Sequence, residues 1–465
     1  MNNPLIPDRQ PRKFPQLKKF DFGLFSLDLS SLLAVEQAER SLNHAPIEPR
    51  VRESCSHAEN ALHDTPCLQQ MGLVNADETS RLKELVKRWH SHFEGLVFFG
   101  IGGSYLGAEA VAQACASQVE KGTPHHTDFP VMWIHELDPD SLEQAYALVS
   151  HKRCAAVVIS KSGETVETLS AFFQLQPYFQ NDGIAVVTSP ENSTLRGLAE
   201  KLHWTTFTIP AEIGGRFSIF TASALVPLAL QGFDIELLLK GALFVREIIM
   251  RGILTPDTSP LYLFAHALHT LDSRLGYAMH YCMPYHPQLR GLSHWFVQLW
   301  AESLGKKTRK GQRQGPTPVA AMGTADQHSL LQLFCDGPLN KMIGLVDVER
   351  LAPRSLPPSS LPLPLPERWD FLKKINLTHL QKAALNSVEK ALWHAGVPTY
   401  RITLENESLQ NMGGLLFFYE AACIMSAVLY DVNPFDQPGV DMTKRLWMEY
   451  LHGPRCGPLG GTYGG

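Results

Sequence analysis

The amino-acid sequence predicts an α/β protein with two domains, each a parallel sheet covered by helices on both faces. The chain of 465 residues is long enough for two or three domains of ordinary size. Short apolar runs alternate with stretches of helical periodicity, which is the pattern of parallel strands joined by crossover helices. The alternation occurs in two blocks, so we expect one domain over residues 50–205 and another over residues 206–440.

Two segments flank these domains. We expect residues 1–49 to form an N-terminal extension, and residues 441–465 to form a C-terminal helix followed by a glycine-rich tail. Leu82, Leu85 and Trp89 fall on one face of a helix, and residues 1–90 contain no strong strand signal. The sequence therefore predicts helical segments at both ends of the protein.

Four apolar runs predict the strands of the first domain, at residues 96–99, 131–134, 155–159 and 184–188. A glycine turn and an alanine-rich helix at 106–115 follow the first run. A hydroxyl-rich turn and a helix at 164–175 follow the third. Strand, turn and helix thus follow one another twice, as parallel sheets require.

The second domain is predicted from the same alternation. We expect helices at residues 222–230, 235–250 and 261–275, and strands at 278–282, 342–348 and 399–404. The most apolar stretch, 414–430, includes Glu420 and Ser426 and is too short for a membrane span, which predicts a buried core helix. Six prolines at 351–366 favour a surface loop, with a Pro-x-x-Pro ligand as the alternative.

Charge and cysteine content argue against several classes of protein. The 41 basic and 46 acidic side chains give a formal charge of −5, which argues against a general nucleic-acid binder but leaves room for a local basic pocket. No apolar segment follows the basic N-terminus, so we expect no secretory signal. The eight cysteines lack metal-ligand spacing, which indicates reduced thiols in a cytoplasmic protein without a metal site.

The turn after the third strand is the first candidate for chemistry. Ser160, Lys161, Ser162 and Thr165 stand between a strand and a helix N-terminus. Hydroxyls and free backbone N–H groups at such a position can hold a phosphate. Ordinary capping of the helix is the alternative, because Ser and Thr are preferred capping residues. Glu164 would repel a phosphate unless its side chain points away.

Two glycine-rich turns are further candidates. Gly102, Gly103 and Ser104 would let the backbone approach a sugar, but they lack the GxGxxG spacing of a dinucleotide site. Gly215 precedes Arg216, whose guanidinium could stabilise developing negative charge. A tight turn is the alternative for the first pattern, and a solvent-exposed arginine for the second.

Three titratable residues follow in the second half. Glu302 lies one turn before a glycine that could end its helix, and it could act as a base there. Its spacing to Lys306 alone favours a surface ion pair instead. His328 follows a glycine-containing turn and could exchange a proton near neutral pH, although a single histidine is more often structural. Lys444 follows the loop 433–440 and would ordinarily be exposed.

The order of these patterns is more specific than any one of them. The chain contains, in sequence, Gly-Ile-Gly-Gly-Ser, Ser-Lys-Ser-Gly-Glu-Thr-x-Glu-Thr, Gly-Gly-Arg-Phe-Ser, Gln-Leu-x-x-Glu-Ser-x-Gly-Lys, Asp-Gln-His-Ser and Asn-Pro-Phe-Asp-Gln-Pro-Gly-Val. The set closely resembles the glucose-6-phosphate isomerase family, also called phosphoglucose isomerases, in its shorter bacterial form. It spans residues 100–444, about three quarters of the chain.

The resemblance implies a fold and a binding site. The family fold consists of two SIS-type (sugar-isomerase) αβα sandwich domains with parallel sheets, in agreement with the two blocks above. The family's phosphate loop corresponds to Ser160, Ser162 and Thr165 with the backbone at Lys161. Positions that line the rest of the family's substrate pocket correspond to Gly102, Gly103, Ser104, Glu167, Gly215 and Gln298.

The resemblance also implies a reaction, the interconversion of glucose 6-phosphate and fructose 6-phosphate in glycolysis and gluconeogenesis, without a cofactor. Glu302 matches the family's base, and Arg216 matches the arginine that stabilises the enediolate. His328 and Lys444 match residues that assist ring opening. The family's histidine comes from the neighbouring subunit, so a homodimer is implied, with no nucleic acid and no membrane as partners.

Two alternatives to this reaction remain at this point. One is an isomerase that also accepts mannose 6-phosphate, and the other is a non-catalytic SIS module that senses sugar phosphates. The chain departs from the family pattern at two places. Asp441 stands where the family commonly has Glu, and the segment 351–366 is unlike the usual family sequence.

Overall fold

The structure is a computed structural model that describes residues 18–34, 76–118, 129–191, 193–252, 259–350, 366–373 and 375–452. Most of the expected N-terminal extension lies outside these residues, as do the glycine-rich tail and all but the last residue of the proline-rich segment 351–366. The described chain folds into two α/β units, each built around its own sheet.

Two short antiparallel strands, β1 (Lys19–Asp21) and β2 (Phe25–Asp28), form part of the region expected to be helical. The expectation of no strand was wrong here, because the residues of β2 alternate between two environments. Phe25 and Leu27 are buried, whereas Ser26 and Asp28 are only half-buried. Such a period of two is the signature of a strand. The helix expected at the end of this region is confirmed as α1 (Ala76–His92).

The first unit is a five-stranded parallel sheet with helices on both faces. Its elements are β3 (Gly95–Phe99), α2 (Leu106–Ala114), β4 (Val131–Ile134), α3 (Pro139–His151), β5 (Cys154–Ile159), α4 (Val166–Leu175), β6 (Ile184–Thr188), α5 (Thr194–Lys201) and β7 (Thr205–Thr208). The strand order is β4-β3-β5-β6-β7. Every residue of β3, β5 and β6 is buried, which explains their continuous apolar runs.

The second unit follows the same alternation after three helices. Its elements are α6 (Ala222–Leu230), α7 (Ile235–Gly252), α8 (Pro260–Leu275), β8 (Met279–Pro284), α9 (Arg290–Leu304), β9 (Lys306–Lys307), β10 (Arg313–Gln314), β11 (Thr317–Ala320), α10 (Gln327–Asp336), β12 (Lys341–Val348), α11 (Leu377–His394), β13 (Thr399–Leu404), α12 (Leu409–Leu429) and α13 (Asp441–His452). The strand order is β1-β2-β13-β12-β8-β11, and β9 and β10 form a separate two-stranded ribbon.

The N-terminal hairpin therefore belongs to the second sheet. Strand β2 pairs with β13 in antiparallel fashion, whereas β8, β11, β12 and β13 run parallel to one another. Leu27 lies opposite Ile402, and both side chains are fully buried. A segment expected to be an extension thus completes the edge of the second sheet.

The predicted core helix is confirmed as α12. By length and composition it could cross a bilayer, but 89% of its apolar window is buried inside the protein. The helix packs against α7, α8 and α9. Its uniform apolarity is explained by this burial on all sides.

The sheet order places a crevice in the first unit. The chain passes from β3 to β4 on one side and then crosses back to β5 on the other, so the order reverses between β3 and β5. Ligands of open α/β sheets bind at the carboxyl ends of the strands at such a point. The residues that follow these two strands are 100–105 and 160–165, which include two of the motifs singled out from the sequence.

Candidate active site

Two glycine turns from distant parts of the chain touch at this crevice. Gly103 follows β3, and Gly215 follows β7. A Cβ atom at Gly103 would overlap the backbone of Gly215, so only glycine permits the contact. The Ser218 hydroxyl group lies 3.3 Å from the Gly103 carbonyl oxygen and 2.7 Å from that of Gly215. The two turns are more than a hundred residues apart in the sequence but pack directly against each other.

Arg216 extends from the second of these turns into the interior, where only 1% of it is exposed. Its Nε atom donates to the Ser303 hydroxyl at 2.9 Å and to the Pro434 carbonyl at 3.1 Å. Its Nη2 atom donates to the carbonyls of Pro434 and Asp436, the latter at 2.9 Å. A solvent-exposed turn arginine is therefore excluded.

Glu302 receives the remaining hydrogen bond of this guanidinium group. Arg216 Nη1 lies 3.2 Å from Glu302 Oε2, and the carboxylate side chain is 34% exposed. Gln298, one turn earlier on α9, donates from Nε2 to Glu302 Oε1 at 3.1 Å, while its own Oε1 is buried without a protein partner. The positive charge of Arg216 is therefore buried next to the Glu302 carboxylate, which is itself partly exposed and accessible to a ligand.

The ion pair between Glu302 and Lys306, favoured by their spacing alone, does not form, so that interpretation was wrong. Lys306 lies beyond the end of α9, and its ammonium group pairs with the Asp436 carboxylate at 2.6 Å instead. The helix ends at Leu304, so the two side chains no longer follow helical spacing. Each of the two residues therefore has a different ionic partner, Arg216 for Glu302 and Asp436 for Lys306.

A cleft of about 1920 Å³ opens in front of Glu302. Its walls come from α8, the end of α9, the β9–β10 ribbon and the segment 428–440. The cationic residues lining it are Arg274, Lys306, Lys307, Arg309 and Arg313, and the anionic ones are Glu302, Asp431 and Asp436. The excess of positive charge favours an anionic ligand.

The hydroxyl-rich turn after β5 lies at the crevice between β3 and β5, and its residues are not among those that line the cationic cleft. Ser160 is buried, and its Oγ atom lies 2.8 Å from Thr165 Oγ1. Ser162 Oγ accepts a hydrogen bond from the Glu164 backbone N–H at 3.2 Å, and Gly163 adopts a φ of +67° in the turn. Thr165 occupies the cap position of α4 but makes no capping hydrogen bond with its side chain. Ordinary helix capping by Thr165 therefore does not explain the turn.

Lys161 and Glu164 lie within this turn, and Glu167 lies in the first turn of the following helix, α4. Glu164 accepts a hydrogen bond from Thr194 Oγ1 at 3.2 Å. Burial lowers the pKa of the Lys161 ammonium, the positive charge of Arg216 lowers it further, and Glu212 opposes both effects. Ser104 and Glu167 are half-buried.

His328 and Lys444 stand apart from this cluster. His328 lies in the first turn of α10 and Lys444 in α13, and both are exposed. Within the described residues, neither side chain makes a hydrogen bond or ion pair with Arg216 or Glu302. A single chain thus brings together the glycine turns, Arg216, Gln298 and Glu302, but not these two.

The structure adds residues that sequence reasoning missed. Ser303 and Lys306 lie within the motif around Glu302, but their contacts to Arg216 and to Asp436 had not been deduced. The backbone carbonyls of Pro434 and Asp436 hold the guanidinium group. A carbonyl belongs to every residue, so no sequence signal could have identified these two acceptors.

The arrangement can move a proton and stabilise an oxyanion. A half-exposed carboxylate can accept a proton from a ligand in the cleft, and a buried, permanently charged guanidinium group beside it can stabilise negative charge that develops there. Among the residues that the structure describes, no group of three or more His, Cys, Asp or Glu side chains is placed to hold a metal ion.

Comparison with known proteins identifies relatives along most of the chain. The profile of the family described as phosphoglucose isomerase matches residues 80–347. A glucose-6-phosphate isomerase from Rubrobacter xylanophilus is 31% identical over 90% of this chain and 96% of its own. One from Thermus thermophilus is 34% identical over 82% of this chain and 90% of its own. The crystal structure of a glucose-6-phosphate isomerase from Chlamydia trachomatis has a TM-score of 0.74 at 21% identity, over 93% of this chain and 89% of that one, and so shares the fold.

Proposed function

The chain belongs to the phosphoglucose isomerase family, and from this premise we propose that it interconverts glucose 6-phosphate and fructose 6-phosphate. Its two α/β units are the SIS-type sandwiches of that family. The observation that carries the proposal is the pairing of a buried Arg216 with a half-exposed Glu302, at 3.2 Å, on the wall of a cationic cleft.

Glu302 is the base in this proposal. In the open-chain aldose, its carboxylate takes the proton from C2, and the electron pair of that bond moves through C1 onto the carbonyl oxygen. The protonated carboxyl group then returns the proton to C1, while the proton of the C2 hydroxyl passes to the C1 oxygen. C1 becomes a hydroxymethyl group and C2 a carbonyl, so one carboxylate serves both half-reactions.

Arg216 stabilises the enediolate between these two proton transfers. Five hydrogen bonds fix its guanidinium group, to Ser303, Glu302, Pro434 and Asp436, so it need not reorganise as negative charge develops. Its burial keeps water away from that charge. This preorganisation supports the role of an oxyanion-stabilising group.

The turn after β5 is the proposed phosphate-binding site. The hydroxyls of Ser160, Ser162 and Thr165 and the backbone at Lys161 lie at the carboxyl end of β5, beside the glycine turn of β3. Holding the anionic end of the sugar there orients C1 and C2 relative to the base. Glu167 and Gln298 belong to the proposed pocket, and the free Oε1 of Gln298 is an acceptor for a sugar hydroxyl.

His328 and Lys444 are proposed to open the sugar ring, and this role implies a homodimer. Both side chains are exposed in the single chain. Within the described residues, neither forms a hydrogen bond or ion pair with Arg216 or Glu302. A site that uses His328 is completed by a second copy of the chain. A cytoplasmic location is also proposed, because the five cysteines in the described part of the chain are free thiols.

The test is a coupled assay that measures glucose 6-phosphate formed from fructose 6-phosphate. We expect turnover by the wild type and a loss of several orders of magnitude in kcat for Glu302→Gln, with binding of the sugar phosphate largely retained. The matched control is Glu143→Gln, which changes an exposed carboxylate on α3 and should leave kcat unchanged.

Two outcomes would contradict the proposal. Sugar-phosphate binding without turnover by the wild type would indicate a sensor rather than an isomerase. Turnover by Glu302→Gln at the wild-type rate would show that another group carries the proton.

A further inference from the structure

The segment 433–436 is held by two cations that come from different elements. Arg216 reaches it from the turn after β7, as described above, and Lys306 reaches it from the start of the β9–β10 ribbon. The side chain of Lys306 is only 8% exposed. Its ammonium group donates to the Asn433 carbonyl at 2.9 Å, to the Asp436 carboxylate at 2.6 Å and to the Asp436 carbonyl.

These bonds use the full donor capacity of Lys306. An ammonium group has three N–H donors, and all three of its acceptors belong to Asn433 and Asp436. No donor is left for a ligand. Burial lowers the pKa of Lys306, the Asp436 carboxylate opposes this effect, and the charge of Arg216 adds to it. Lys306 therefore borders the cleft but uses all of its hydrogen-bond donors within this segment.

Arg216 shares one of these acceptors and bonds to the same segment at a second. The Asp436 carbonyl accepts from both cations, and the adjacent Pro434 carbonyl accepts from Arg216 through two nitrogen atoms. The direction in which the guanidinium group faces Glu302 is thus set by a loop that Lys306 holds in place. Without Lys306, the Asn433 carbonyl and the Asp436 carboxylate would lose this donor and the Asp436 carbonyl would keep only Arg216, so the loop would rearrange to satisfy them.

We propose that Lys306 is a positioning residue for the isomerisation, acting through the segment 433–436 to orient Arg216 against Glu302. The inference rests on the proposed function of this site and adds a residue that touches neither sugar nor phosphate. Displacement of a catalytic group by about 1 Å can cost on the order of a hundredfold in rate. The effect should fall on kcat, because the phosphate is held elsewhere, at the turn after β5.

Steady-state kinetics of Lys306→Met tests the proposal. We expect kcat to fall about a hundredfold and KM to stay within about threefold of the wild-type value. The matched control is Lys310→Met, an exposed lysine at the tip of the same ribbon, which should leave both parameters unchanged. Asp436→Asn keeps the carbonyl acceptor but removes the carboxylate charge, and should lower kcat in the same direction by a smaller factor.

A double variant separates positioning from a general loss of structure. In an Arg216→Lys background, adding Lys306→Met should lower kcat by less than about threefold, because the group through which Lys306 acts is already replaced. Equal reductions in both backgrounds would overturn the proposal, as would a wild-type kcat for Lys306→Met or an effect confined to KM. If Lys306→Met does not fold, judged by circular dichroism, a folded Asp436→Asn with wild-type kcat would overturn it. Inactivity of the wild type would contradict the proposed function instead.

Discussion

Gly103 shows how closely the two turns of the site approach each other. A methyl group there would meet the carbonyl carbon, carbonyl oxygen and Cα of Gly215, all of them backbone atoms that cannot rotate away. We expect Gly103→Ala to destabilise the fold by about 1–3 kcal/mol, as overpacking does. Because the shift would displace Arg216, kcat/KM should fall by about a hundredfold or more.

Thermal unfolding and the isomerase assay measure these effects, and Gly197→Ala is the control. Gly197 lies within α5, and a Cβ atom there meets nothing within 4 Å. Alanine favours a helix over glycine by about 0.5–1 kcal/mol, so this variant should be as stable as the wild type or more so, with normal activity. Normal activity in Gly103→Ala would show that the contact between the two turns does not matter for the site.

At the scale of single residues, the sequence predicts which residues form the site but not the contacts that they make. Local spacing favours the ordinary interpretations of Arg216 and Glu302, and only the order of six motifs makes them candidates for catalysis. Spacing cannot reveal burial, and the 1% exposure of Arg216 depends on a loop more than two hundred residues away, through bonds to Pro434 and Asp436. The contacts of Lys306 with Asn433 and Asp436, which are 127 and 130 residues away, cannot be read from spacing either.

The hairpin formed by β1 and β2 is not predicted from the sequence, yet it completes the second sheet. It adds two antiparallel strands to the edge of the second sheet, and Leu27 is fully buried opposite Ile402. We expect Leu27→Ala to lower the free energy of unfolding by about 2–5 kcal/mol, as removal of a buried leucine side chain does. The hairpin is thus a structural part of the second unit rather than an appendage.

Chemical denaturation of Leu27→Ala tests this, with Leu137→Ala as its control. Leu137 is 61% exposed, so its truncation should change stability by less than about 0.5 kcal/mol. An equally small change for Leu27→Ala would show that the hairpin is dispensable.

The strands that were predicted and those that were missed differ in their surroundings. Central strands such as β5 and β12 are buried on both faces, and their continuous apolar runs were recognised. Strands β7 and β11 lie at sheet edges and are only partly buried, so their sequences Thr-Thr-Phe-Thr and Thr-Pro-Val-Ala carry no apolar run. An edge strand needs less apolar surface, and sequence periodicity detects it poorly.

The two sheets reverse their strand order in the same way, but different kinds of residue lie at the two points of reversal. In the second sheet the strand order reverses between β8 and β12, as it does between β3 and β5 in the first. At the point of reversal in the second sheet, a cluster of titratable side chains around the buried Asp347 takes the place of the hydroxyl-rich turn. Asp347 lies 3.2 Å from His286 Nε2 and 2.7 Å from Lys382 Nζ. The similarity of the two blocks was visible in the sequence, but this difference in their crevices was not.

The proposed dimer makes a prediction for the whole assembly. If each site takes Glu302 from one chain and His328 from the other, a mixed dimer of Glu302→Gln and His328→Ala chains contains one intact site. Random pairing of equal amounts gives mixed molecules in about half of the dimers, so about a quarter of wild-type activity should appear. The measurement is the isomerase activity of the two variants after unfolding and refolding together.

Each variant refolded alone serves as the control and should remain nearly inactive. If the mixture is no more active than its components, His328 does not act across a subunit boundary.

The central claim is that Glu302 carries a proton between C1 and C2 while Arg216 stabilises the intermediate. The most direct test follows deuterium from solvent into the sugar, by NMR of fructose 6-phosphate and glucose 6-phosphate incubated in D₂O. The wild type should place deuterium on the carbon that receives the proton, and Glu302→Gln should place none there over the same period. Deuterium incorporation by Glu302→Gln at the wild-type rate would contradict this account.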